Sequence, residues 1–226
     1  MEELILIILT IFSIIITTSL YKLFEKKGLY YALVLLNIIS LILSFKIGYI
    51  FKTNINLGII PIVAIFTTIY LYIVKYGTNE KKHILTLTLI SSIITSLAMI
   101  IMNYCIPAIT ETVSINMQGT FETNYKIFIV YPIIITISEF IVIKLYDIIS
   151  KVQNNIILTI VLNYIMTSLI FTILMYILFY IGILSIKDSL YIGVSTYILG
   201  LILTIAHSIF LYFYTKKKVK KWVILY

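Results

Sequence analysis

The 226-residue sequence contains no arginine: all 17 of its basic residues are lysine. With isoleucine and asparagine so frequent, this absence reads as a coding bias rather than as selection against guanidinium groups. Cysteine is nearly absent too. The single Cys105 excludes an intrachain disulfide, and its apolar surroundings mark it as a small buried hydrophobe. The two histidines, His83 and His207, offer no zinc-ligand spacing with that one cysteine. No nucleophile elbow, phosphate loop or glutamate pair for acid and base work is found, so neither enzymatic activity nor a cofactor is expected. Charge is scarce as well, with charged residues making up 12% of the chain against 62% hydrophobic and a mean hydropathy of +1.12. No soluble domain could bury that much apolar surface, which leaves an integral membrane protein. The start, Met1-Glu2-Glu3, lacks the basic region of a signal peptide and no small-residue cleavage motif follows, so the first apolar segment is expected to be retained.

What is abundant is apolar sequence in long runs. Runs able to cross roughly 30 Å of hydrocarbon occur at 4–21, 29–50, 57–74, 84–106, 127–149, 156–184 and 190–214. They are too long and too uniformly apolar for barrel strands, so the expected fold is all-α: a polytopic transmembrane helix bundle of about seven spans in a single membrane domain. Residues 1–22 are an extra N-terminal helix, 23–215 the core and 216–226 a basic tail. Thirteen lysines fall on one side of this arrangement, and only Lys46, Lys52, Lys126 and Lys187 on the other. The excess assigns the first side to the cytoplasm, with the N-terminus outside and the C-terminus inside. The formal charge of +8 is then a topology signal and an attraction for anionic membrane lipids, not a sign of nucleic-acid binding. The tail Thr215-Lys-Lys-Lys-Val-Lys-Lys-Trp222 reads as an interfacial anchor. The loop 107–125, with two glutamates and no lysine, is expected to face outward.

Several spans carry polar or small residues three and four apart, on one helix face. In the fourth these are Thr88, Ser92, Thr95, Met99 and Asn103, in the sixth Thr159, Asn163 and Thr167, and in the seventh Gly193, Thr196, Tyr197, Gly200, Thr204 and His207. Helix packing accounts for most of the serines and threonines. Asn103, Asn163 and His207 are costlier in lipid and are candidates for the wall of an interior cavity. The fifth span holds Glu139 on a face shared with Thr136 and Pro132, and the proline is expected to kink the helix. An ionised carboxylate at mid-bilayer costs about 2.5 kcal/mol or more, so Glu139 needs a partner or a proton. Lys144 lies about 140° round the same helix and Lys126 nearly 20 Å along it, which leaves Lys46 as the candidate lysine. Intramembrane acids belong to functional sites by default, and a protonated glutamate pinning two helices is the structural alternative.

A Lys late in an early helix, a Tyr-Gly-x-x-x-Lys-Lys turn and a basic residue thirteen positions before an acid form a recognisable order. It is carried by Leu41-Ile-Leu-Ser-Phe-Lys46, by Ile73-Val-Lys-Tyr-Gly-Thr-Asn-Glu-Lys-Lys82, by Lys126-Ile-Phe with Ser138-Glu139, by Leu145-Tyr146-Asp147, and by Ile170-Phe-Thr-Ile-Leu with Phe179-Tyr-Ile-Gly182. Over residues 38–215 this resembles the vitamin-uptake-like family of queuosine-precursor transporters, which import deazapurine bases such as preQ0 and preQ1. The resemblance implies a six-helix core, a small-molecule substrate and a binding role for Lys46, Lys126 and Glu139. This chain departs from the family at Tyr70, Val142 and Phe171, where the family has aspartates, and at Glu139, where it has glutamine. Tyr70 and Phe171 could stack on a ring in place of the lost acids.

The expected function is therefore a membrane transporter for a small planar solute, recognised by Glu139 in a polar cavity. One alternative is the substrate-binding module of an ATP-driven importer, against which stands the presence of only five alanines for a small-residue docking face. The other is a non-transporting membrane scaffold, for which loss of a charged pocket is natural.

Overall fold

One helix sets the plan of the molecule. Ile59–Tyr76 (α2) buries an unbroken run from Ile59 to Ile73. A helix that is apolar all round, with only small polar side chains such as Thr67 and Thr68, must be surrounded. Around it stand α1 (Glu2–Ser44), α3 (Lys81–Tyr104), α4 (Tyr125–Ile149), α5 (Ile156–Met175) and α6 (Ile186–Trp222). α1 lies against α2 and α3, and contact passes on from α3 to α4, α5 and α6, which returns to α2. The computed structural model describes residues 2–104, 125–153, 155–175, 177–178 and 184–222. Among these, six helices are long and apolar enough to cross a membrane. Their outward faces carry side chains such as Ile94, Ile133 and Ile202.

The first two expected spans form one helical element, broken at Glu25, whose φ of 49° and ψ of −121° are non-helical. The lysines and glutamate between them are good helix formers, so helix persists on both sides of that single residue. A Cβ on Gly28 would lie 1.9 Å from the Leu20 carbonyl oxygen. In a straight helix these residues are about 12 Å apart, so the chain folds back on itself at Glu25. Only glycine permits this approach. Of the two arms, residues 26–44 run antiparallel to α2: Tyr30 Oη is 2.7 Å from Tyr72 Oη, and Ser40 Oγ donates to the Gly58 carbonyl at 3.2 Å. Residues 2–24 reach the middle of α2, where the Thr17 and Thr68 hydroxyls are 3.0 Å apart.

The span expected at 29–50 stops short. Its helix ends at Ser44, and residues 47–56 form an antiparallel hairpin, β1 (Ile47–Ile50) and β2 (Thr53–Asn56), with Ile47 opposite Asn56. Gly48 weakens helix, while Ile47, Ile50, Thr53 and Ile55 favour strand. Phe51 and Lys52 at the tip both have positive φ, as a two-residue hairpin turn of this kind requires. The all-α reading therefore gains a hairpin. Pro132 stands inside α4, which is one helix across it, and α5 spans Ile156–Met175, most of the remaining expected run to 184 lying outside the described residues. α6 continues beyond residue 214 to Trp222, because lysine sustains helix. Cys105, the loop residues 107–124 and the side chains of Asn103, Lys126 and the lysine tail lie outside the described residues.

Candidate functional site

Two polar regions flank the central helix, and they differ in kind. The first joins the second arm of α1 to α3 and α4. Asn37, fully buried, directs its Nδ2 to the Thr88 carbonyl at 2.7 Å, to Ser91 Oγ at 2.8 Å and to Ser92 Oγ at 2.6 Å, two hydrogens shared among three acceptors. Tyr131 Oη donates to Ser40 Oγ at 2.6 Å and reaches Asn37 Oδ1 at 3.5 Å. Glu139, also fully buried, ends this network, its Oε2 2.5 Å from Thr88 Oγ1. That hydroxyl is also 3.1 Å from the Ile84 carbonyl. If the acid carries a proton and donates it to Thr88, the threonine hydrogen is free for Ile84; if it is ionised, Thr88 must donate to it. The other carboxyl oxygen, Oε1, is buried without a partner among the described residues.

The sequence-derived site residues divide around this network. Thr136 serves its own helix, its hydroxyl donating to the Pro132 carbonyl at 2.7 Å. Asn163 ties α5 to α4 by donating to the Val142 carbonyl at 2.8 Å, and its Oδ1 accepts from Thr167 at 3.0 Å, so it is satisfied as a helix staple. Lys46 is exposed just before β1, and no ion pair joins it to Glu139 among the described residues. Tyr70 is fully buried on α2, its ring 6.0 Å from that of Tyr146 and its hydroxyl without a partner among the described residues. Asn37, Ser40 and Tyr131 were missed by sequence reasoning. The signal existed for two of them, since Asn37, Ser40 and Ser44 repeat at three and four residues on one face.

The second region is the seam between α6, α2 and α5. At the hairpin end it opens as a recess of about 330 Å³, walled by Ser44, Asn56, Ile59, Phe171, Gly193 and Thr196. Asn56 holds this end together: its backbone N–H donates to Thr196 Oγ1 at 3.1 Å and its side chain to the Ser44 carbonyl at 3.0 Å. Further along is a second recess of about 310 Å³, bounded by Thr17, Thr67, Leu71, His207 and Phe210. Neither recess reaches Glu139. Between the two, Gly200 faces the Tyr164 hydroxyl so closely that a Cβ there would lie 2.2 Å from the Oη and 3.2 Å from Ile59 Cγ1. Phe171 and His207 thus line separate recesses, the first on the α5 side and the second on the side of the first arm of α1, joined only by the Gly193, Thr196, Gly200, Thr204 and His207 stripe of α6. Tyr164 was missed, because a tyrosine within an apolar run carries no positional signal.

A third cluster lies at the opposite end of α2 from the hairpin. Glu80, between α2 and α3, pairs with Lys26 and accepts hydrogen bonds from Tyr30 and from Tyr72, the latter at 2.7 Å. These bonds, Lys26 first, hold its carboxyl down at about 2. His83 packs edge-on against Tyr30 at 4.9 Å between ring centroids. The cluster clips the fold-back of α1 to the α2–α3 turn.

No group of three or more histidines, cysteines or acids that could hold a metal occurs among the described residues. In comparisons with protein-family models, curated proteins and solved structures, nothing matches this chain.

Proposed function

We propose that the chain is a seven-span membrane transporter for a small, planar, hydrogen-bonding solute, each arm of α1 crossing the bilayer once. The lysine excess places the Glu80 end in the cytoplasm and the hairpin outside. The observation that carries this reading is the pair of recesses on one buried polar face of α6, at opposite ends of a contact with the central helix. A carrier holds its solute between helices, and recesses that border one polar helix face are where such a solute would enter. Phe171 in the outer recess offers a ring face to a planar solute. A deazapurine base such as preQ1 is the first solute to test, on the resemblance of residues 38–215 to queuosine-precursor transporters. In cells lacking their own importer, expression should raise uptake of labelled preQ1 several-fold over the vector; equal uptake would remove this substrate. A reporter active only outside the cytoplasm, fused after Tyr226, should stay silent, and activity there would invert the topology.

A second reading makes Glu139 the solute-recognising group, and its unpartnered buried Oε1 favours it. A cationic solute would then bind more weakly to Glu139→Gln and not at all to Glu139→Leu. Unchanged uptake in both variants, at equal expression, assigns Glu139 to helix pinning.

A further inference from the structure

The α6 stripe borders two buried polar atoms without a hydrogen-bond partner among the described residues, and their chemistry specifies what would meet them. Tyr164 is fully buried, and its Oη points into the gap that Gly200 leaves open, with no hydrogen bond of acceptable geometry. His207 is 4% exposed, and its Nε2 has no partner among the described residues. Its other ring nitrogen meets Thr67 Oγ1 at 3.4 Å. The Thr67 hydroxyl hydrogen is already directed at the Val63 and Ala64 carbonyls, at 3.0 and 3.1 Å. Thr67 therefore accepts from His207 Nδ1–H. In the neutral ring this leaves Nε2 as a bare acceptor beside the second recess. The Thr204 hydroxyl, which donates back to the Gly200 carbonyl at 2.8 Å, and the Ser168 hydroxyl are the polar neighbours of the Tyr164 Oη, and neither forms a complete hydrogen bond with it.

Unsatisfied polar groups in a membrane core cost several kcal/mol in hydrocarbon and are retained where water or a ligand meets them. We infer that the α6 seam is a hydrated binding site for a neutral solute carrying N–H or O–H donors, running from the outer recess past the Tyr164 hydroxyl to His207. Gly200 and His207 are seven residues apart, about 10 Å along α6, so the two polar contacts sit at successive depths. Tyr164 stands at the narrowest point, filling the glycine gap while the site is empty. A solute passing from Phe171 to His207 displaces this hydroxyl or hydrogen-bonds with it. The inference deepens the transport reading and rests on it for the solute, but hydration of the seam can be tested without any solute.

The test uses the full chain in membranes with Cys105→Ser as background, and a charged, membrane-impermeant methanethiosulfonate as the probe. Single substitutions Thr196→Cys, Thr204→Cys and His207→Cys sample the seam. Ile198→Cys and Ile202→Cys sample positions on the outward face of the same helix, 51% and 59% exposed. A thiol reacts as thiolate, so thiols in lipid stay silent. The seam positions should label at least tenfold faster than the outward ones, with Thr196→Cys fastest. Tyr164→Phe, which keeps the ring and removes the hydroxyl from the gap, should speed labelling of Thr204→Cys and leave Thr196→Cys unchanged. Seam labelling as slow as that of Ile202→Cys would overturn the inference while leaving preQ1 uptake free to stand. Fast seam labelling without uptake of any tested base would keep the site and sink the transport reading.

Discussion

The Glu139 network and the α6 seam are both buried and both polar, yet the first is knit by hydrogen bonds up to the Glu139 Oε1 while the second borders recesses. Around Asn37, serine, threonine and tyrosine hydroxyls converge within hydrogen-bond distance. Along α6 the same kinds of residue stand beside glycines, two recesses and two polar atoms without a partner among the described residues. The difference teaches that polarity in a membrane core has two uses. Satisfied, it pins helices; unsatisfied and beside a hollow, it awaits water or a solute. Charge alone does not separate the two, since the acid lies on the closed side.

The contrast can be broken most forcefully at Asn37. Asn37→Leu removes every bond its amide makes and should lower stability by about 1–3 kcal/mol, read as a drop in the melting temperature of the detergent-solubilised protein. Uptake per folded molecule should be unchanged, because the lesion lies on the pinning side.

Gly200→Ala strikes the open side. Its Cβ would meet the Tyr164 hydroxyl at 2.2 Å, and the resulting overpacking should cost about 1–3 kcal/mol unless the ring shifts. Adding Tyr164→Phe should recover much of that loss, whereas Tyr164→Phe in the Asn37→Leu background should recover none. Equal behaviour in the two backgrounds would show that the regions are not separate.

Smaller effects sharpen the comparison. Glu139→Gln keeps the shape and a hydrogen-bonding end toward Thr88, so its stability should stay within about 1 kcal/mol of the parent. The Glu80 clip gives a control remote from both regions. Its carboxyl titrates at about 2 in the folded protein against 4.5 for the free group. A lowered folded value means stability fully present above pH 4.5 and lost as pH falls toward 2. Glu80→Gln should abolish that part of the acid sensitivity, measured as melting temperature against pH.

Much of the architecture is legible in the sequence, because apolar runs of bilayer length admit only helices, and the boundaries of α2, α3 and α4 lie within a few residues of those runs. The hairpin at 47–56 is not, since its isoleucines extend the apolar run and only Gly48 and the polar Thr53, Asn54 and Asn56 betray the change. The fold-back at Glu25 is marked by no proline and depends on Gly28 meeting Leu20, a contact between positions that no periodicity links. Within the polar regions, the stripe of α6 is readable from its spacing. That it faces α2 and borders recesses follows from which helices become neighbours, and hydropathy carries no such information.

The central claim is that the seam is wet and the Glu139 network dry. A high-resolution density map of the full chain in a lipid nanodisc tests this directly. Ordered water within hydrogen-bond distance of both Tyr164 Oη and His207 Nε2, with none at Glu139 Oε1, is the predicted result. Water or bound solute at Glu139 with an empty, dry seam would contradict it.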